Sequence, residues 1–273
     1  MIICTALVCF MTPGLAFFYG GLVRKKNVLI IMMQSFISMG IVTVIWIFGG
    51  FGLAFGQDHL GIIGNIGDFF ALNNVGLYAN AMHGATIPFL MFFAYQLMFC
   101  VITAPLMTGA FAGRINVKGY IWLLIVWTIL IYIPVCHWVW GNGFLAKMGF
   151  VDFAGGTVIH TSAGFGALAC AIFFGKRVLK KGEKTDPNNL VLVAIGVALL
   201  WFGWFGFNSG GALAANELAA TAFVNTAVAL AVAMVAWMII VKIRNGRVSF
   251  SDLLTGSVAG LATITPCAGY VEP

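Results

Sequence analysis

An all-α, polytopic membrane protein is the fold class this sequence predicts, and three observations carry it. Of the 273 residues, 62% are hydrophobic and 8% charged, with a mean hydropathy of +1.03, where a soluble domain carries about a quarter charged residues. Apolar stretches long enough to cross a hydrocarbon core of roughly 30 Å, about 20 helical residues each, recur along the whole chain with short polar breaks. The basic residues crowd into alternate breaks. Helices satisfy their own backbone hydrogen bonds in lipid, and the period-two alternation of a membrane barrel is absent, so a helical bundle follows.

Eight spans are expected, at about 2 to 22, 28 to 56, 85 to 113, 119 to 140, 157 to 175, 190 to 209, 220 to 241 and 252 to 270. They form a single transmembrane domain over residues 1 to 273. The first begins "MIICTALVCF". It lacks the basic leader of a signal peptide, and its apolar run continues too far for one, so it reads as a retained helix. Between the second and third spans, "GQDHLGIIGNIGDFFALNNVGLYANAMHGAT" carries Asp58 and Asp68 but no Lys or Arg, and is expected to form an irregular lid. Tyr95, Gln96 and Phe99 fall in the outer half of the third span, and Trp140, in "HWVWGNG", closes the fourth. Alone, each aromatic reads as belt or core packing; together they suit a cation vestibule, because aromatic faces attract a cation by about 0.5 to 2 kcal/mol.

The fifth span opens on "DFAGGTVIHTSAGFGAL". Asp152 directly precedes the helix, and its carboxylate is expected to cap the N–H groups of Ala154 and Gly155 while favouring the positive end of the helix dipole. A fixed anion there also lowers the cost of bringing a cation to the mouth. His160 lies about 12 Å deeper at 1.5 Å per residue, too far to touch Asp152. An ionisable group at that depth is read by default as a pore or relay residue, and neutral imidazole offers one donor and one acceptor to a small polar guest. Gly156, His160, Gly164, Ala167 and Ala171 recur at helical spacing and predict a small-residue face for close helix approach. The sixth span ends in "WFGWFGFNSGGALAANE", a glycine-rich interruption that either lines a cavity or simply ends the helix.

The net charge of +6 would suggest a nucleic-acid partner in a soluble chain, but its distribution excludes that reading. Arg24, Lys25, Lys26, Arg114, Lys118, Lys176, Arg177, Lys180, Lys181, Lys184, Lys242, Arg244 and Arg247 share one side, leaving Lys147 as the single exception among 14 basic residues. By the positive-inside rule that side is cytoplasmic, which places the N-terminus outside a cell membrane crossed many times. The stretch "GKRVLKKGEKTDPNNL" reads as an anchor for anionic lipid headgroups. Six cysteines lack paired metal-ligand spacing and read as small packing residues. With no HExxH, GxSxG, Walker A or dinucleotide fingerprint, neither an enzyme nor a cofactor is expected.

"DFAGGTVIHTSAGFGALACAIFFGKR" closely resembles the signature of the ammonium transporter family, which includes the methylammonium permeases and the Rhesus proteins. "FMTPGLAFFYGGLVRKKNVL", "HWVWGNG", "GWFGFNSGGALAANE", "AFVNT" and "ITPCAGY" are similar to family segments in the family's order, so the resemblance covers nearly the whole chain. It implies a fold of eleven helices, built as two inverted five-helix halves plus a last helix, of which about eight are present here, assembled as a homotrimer with one pore per subunit. It also implies transport of ammonium, as the ion or as ammonia plus a proton, and regulation by a PII-type protein; an ammonium sensor signalling through its cytoplasmic face is the alternative. By motif, Trp140, Tyr95 and Phe99 correspond to the cation vestibule, Phe99 and Phe207 to a stacked phenyl gate, Asp152 to a carboxylate that organises the outer site and His160 to the first of two pore histidines. Two departures stand out: Tyr95 replaces a phenylalanine, and the vestibule serine falls on Gly211, removing a hydroxyl acceptor. The resemblance further implies three more helices beyond "ITPCAGY", so the chain is expected to be truncated. His59, His83 and His137 are all expected near the outer side, leaving His160 without its pore partner.

Overall fold

The computed structural model describes residues 1 to 178 and 186 to 273; Lys180, Lys181 and Lys184 of the basic stretch lie outside the described residues. Among the described residues eight main helices follow in chain order: α1 Ile2–Leu22, α2 Lys25–Phe55, α3 Phe89–Phe111, α4 Val117–Lys147, α5 Gly156–Phe174, α6 Leu190–Gly210, α7 Glu217–Asn245 and α8 Phe250–Ile264. The first seven are long and apolar enough to cross a membrane. The expected eighth span differs. The capping box of Ser249 and Asp252 starts α8, but its 15 residues end at Ile264, about 22 Å of helix against a core of roughly 30 Å. Pro266 follows in a tight turn, and the chain from 265 to 270 leaves the helix instead of extending it.

Local chemistry sets the irregularities. Pro134 cannot donate to the carbonyl four residues back, and α4 widens into a π-type turn over Thr128–Tyr132. In α2 the chain kinks at Trp46–Gly50, where Gly49 takes φ +138°, a conformation costly for any residue bearing a Cβ. Asn189 and Asn216 cap α6 and α7 with their side-chain oxygens.

The lid between α2 and α3 is more ordered than expected. Two short antiparallel ribbons form, Asp58–His59 with Ile63–Gly64 and Ala79–Asn80 with Gly84–Pro88. Asp58 pins this segment to α4: it accepts from His137 Nε2 at 2.8 Å and from the Lys147 ammonium, while His137 Nδ1 meets the Ala54 carbonyl at 2.9 Å. Hydrogen bonds from Lys147 and then His137 hold the Asp58 carboxyl down at about 2. Lys147, the one basic residue set apart by sequence, thus sits with the lid. On the basic loops' side, Arg114 reaches the Gly175 carbonyl and Arg177 the Ala112 carbonyl, each at 2.7 Å, which joins the loop after α3 to the loop after α5.

The most extensive helix contact is α1 against α6, and glycine makes it possible. A Cβ on Gly196 would lie 2.2 Å from the Phe18 amide nitrogen and 2.6 Å from its Cα, so backbone meets backbone. Dispersion and small residues, not hydrophobic exclusion of water, drive such contacts in lipid. The predicted small-residue face of α5 is used only in part: Gly156 lies against Pro266, while nothing approaches Gly164 within 4 Å. The face is not continuous because Gly166, offset from it, takes the second close contact, against Met107 and Trp127. Gly196→Ala is expected to lower stability by about 1 to 3 kcal/mol, read as the unfolding midpoint of the protein in detergent; an unchanged midpoint would contradict so close a crossing.

Candidate functional site

Asp152 is buried at 6% exposure, and its carboxylate receives four backbone N–H groups. Gly155 and Gly156 donate to Oδ1 at 2.8 and 2.7 Å, and Thr157 and Val158 to Oδ2 at 2.7 and 3.1 Å. The sequence had assigned the cap to Ala154 and Gly155. The register moves because Gly155 takes φ +104°, a left-handed turn that aims the following amides back at the carboxylate. Burial pushes the Asp152 carboxyl up, and the four amides pull against it. Two donors on each oxygen suit an ionised, acceptor-only carboxylate at a positive helix end. Trp140 Nε1 donates to the Asp152 backbone carbonyl at 2.9 Å, so the same residue also orients the indole where α4 breaks at Gly141.

Above α5 these groups enclose a cavity of about 210 Å³ whose walls include Tyr95, Gln96, Phe99, Trp140, Asp152 and Gly211. Tyr95 and Phe99 stand 4.6 Å apart between ring centroids, and Phe99 meets Trp140 edge-on at 6.0 Å. Phe99 stacks on Phe207 at 4.2 Å with 24° between planes. Phe207 in turn lines a second cavity of about 50 Å³ on the side of His160, Trp204, Leu15 and Ile102. The stacked pair therefore divides two chambers. His160 stacks on Trp204 at 5.3 Å and on Phe207 at 5.8 Å, and its Nε2 has no hydrogen-bond partner. No hydrogen bond joins His160 to Asp152 among the described residues, in line with the spacing. The remaining wall of the small chamber is almost wholly aliphatic or aromatic.

Two substitutions noted in the sequence acquire physical meaning. The Tyr95 hydroxyl donates to the Phe207 carbonyl at 2.6 Å, a strut between α3 and α6 across the ring pair. At Gly211 a Cβ would sit 2.6 Å from the Phe153 carbonyl oxygen, so this backbone leaves no room for a serine without shifting. The sequence reading missed His83, Phe153 and Tyr270 as walls of the larger cavity, and Trp204 as the partner of the His160 ring. His83 and Tyr270 come from irregular segments, which have no periodicity to place a side chain. Trp204 was legible in principle: it lies three residues before Phe207, on the same helix face.

The model of the "Ammonium Transporter Family" matches residues 1 to 273. An ammonium transporter of Aquifex aeolicus is 45% identical over 274 residues, covering 100% of this chain and 63% of that relative. The crystal structure of Candida albicans Mep2 superposes with a TM-score of 0.90 at 34% identity, covering 99% of this chain and 60% of that one. A solved structure named Sensor Amt Protein gives a TM-score of 0.89 at 32% identity, covering 100% of this chain and 68% of that one. The chain thus spans less than two thirds of the Aquifex relative and of Mep2.

Asp152→Asn replaces one acceptor oxygen by a donor that faces two amide donors. It is expected to cost about 1 to 3 kcal/mol for each amide left unpaired, measured by unfolding in detergent; native stability would show that the cap does not hold the mouth together.

Proposed function

Because the chain belongs to the ammonium transporter family, we propose that it conducts ammonium through the two chambers, with the Phe99 and Phe207 pair as the gate between them. The observation that carries this reading is the sequence of environments along one path: aromatic faces beside a buried carboxylate, then a stacked ring pair, then an apolar chamber holding one imidazole. Moving a bare ion into low dielectric has an idealised cost of order 20 kcal/mol, whereas a neutral amine loses hydrogen bonds worth a few kcal/mol. Trp140, Tyr95 and Phe99 collect the cation near the fixed charge of Asp152. The ring pair strips its water, the ion's N–H bond breaks as it enters with the proton passing to water in the vestibule, and His160 hydrogen-bonds the neutral ammonia beyond the gate.

The proposal includes a cell-membrane location with the N-terminus outside, supported by the one-sided basic residues. It also includes the homotrimer and the PII-type partner that the family resemblance implies, and a transport role without enzymatic chemistry. A sensor is the second reading, supported by the likeness to the Sensor Amt Protein structure; binding without flux would favour it.

The test is ammonium uptake by cells lacking their own carrier that express the full natural protein. Uptake is expected. Trp140→Leu is expected to raise the half-saturating ammonium concentration by about two- to thirtyfold, the equivalent of losing about 0.5 to 2 kcal/mol of cation–π attraction. No uptake, or a Trp140→Leu variant with an unchanged half-saturating concentration, would contradict the reading.

A further inference from the structure

His83 belongs to the ribbon turn of the lid, where nothing in the transport path described above uses it. Its side chain is nonetheless placed as if for a ligand. It is 8% exposed and lines the larger cavity beside Phe92, Gln96 and Trp140. It also lines a second cleft toward the lid surface, shared with Asp58, Asp68 and Lys147. The ring therefore stands in the partition between an outer cleft and the vestibule.

Its surroundings fix its chemistry. The imidazole packs edge-on to Phe55 at 5.3 Å and lies nearly parallel to Phe89 and Phe92 at 6.4 and 5.9 Å. Burial pulls its pKa down to about 4, against an opposing pull from the Phe55 backbone carbonyl. The ring is accordingly neutral near pH 7, with one donor nitrogen and one acceptor. A carbonyl can only accept, so the proton belongs on the nitrogen facing Phe55. Nε2 is buried and has no hydrogen-bond partner, a condition that is costly unless a guest satisfies it. Gln96 Oε1, from a residue lining the same cavity, is a second buried polar atom without a partner.

We propose that His83 is a specificity-determining residue of the vestibule, accepting an N–H hydrogen bond from the bound ammonium through Nε2. The assignment rests on the transport reading above and supplies what that reading lacks. Gly211 offers no hydroxyl, and aromatic faces attract any monovalent cation without asking whether it carries N–H groups. A directional acceptor rewards ammonium and gives a spherical cation less. Ring stacking on Phe89 and Phe92 holds the acceptor in place, which limits the entropy lost when the guest binds.

The test compares His83→Leu and His83→Gln with wild type in the full natural protein, in cells lacking their own carrier and at matched amounts in the membrane. His83→Leu keeps an apolar ring partner and removes the acceptor. Its half-saturating ammonium concentration is expected to rise about two- to tenfold, the range for one net hydrogen bond, with the maximal rate within about twofold of wild type. His83→Gln restores a neutral acceptor and is expected to recover most of the affinity. A wild-type half-saturating concentration in His83→Leu overturns the assignment, as do equal losses in both variants, which would mark His83 as packing. A wild type that carries no ammonium overturns the transport reading itself, and this assignment with it.

Discussion

The Asp152 carboxylate, buried and accepting four backbone N–H groups at the start of α5, joins parts of the chain that share no sequence neighbourhood. Through its backbone carbonyl it holds Trp140 of α4. Through Phe153, whose amide donates to the Pro266 carbonyl at 2.9 Å, it fixes the turn beyond α8. That turn is in turn held by Asn225 of α7, which donates to the Ala268 and Val271 carbonyls at 2.8 Å each. An anion so placed is satisfied by the fold before any ligand arrives. It can therefore bias the electrostatics of the mouth without binding a cation so tightly that release becomes slow.

The second constraint is polarity, graded along a path. The vestibule combines a carboxylate, an amide, an imidazole and the faces of phenylalanine, tyrosine and tryptophan, whereas the chamber beyond Phe207 presents His160 and almost nothing else polar. The Tyr95 strut to the Phe207 carbonyl ties the ring pair's two helices together at its backbone end. If the pair is the gate we propose, a guest passing between rings held this closely would have to shed its water first. With about 20 kcal/mol for a desolvated ion against a few for neutral ammonia, the proposed conduction would select by protonation state more than by size.

Much of this was legible in the residues. Hydropathy placed the seven long helices within about four positions at every end but one, the fourth running on to Lys147 where 140 was expected, because an uninterrupted apolar run of that length has few alternatives in lipid. The clustering of basic residues is what the expected alternation rests on; of the residues singled out in the sequence, Asp152, Trp140 and Phe99 line the larger cavity and Phe207 and His160 the smaller one. What stayed hidden depended on exact backbone geometry. The left-handed turn at Gly155 shifted the Asp152 cap by residues that propensity does not resolve. Pro266 ended α8 early although its flanking residues remain apolar. The lid placed His83 by ribbon register and side-chain packing, neither of which leaves a periodic trace in sequence. The missing room at Gly211 comes from Phe153, 58 positions away in the chain, and no local pattern encodes such a contact.

A comparison of ammonium and rubidium fluxes into liposomes containing the full natural protein tests the central claim most directly. Rubidium is a monovalent cation that cationic attraction at the aromatic mouth would also favour, but it has no proton to give up. Ammonium is predicted to enter rapidly while rubidium enters no faster than into protein-free liposomes. Rubidium flux comparable to that of ammonium would contradict the account, because the ring pair and apolar chamber would then be passing ions as ions.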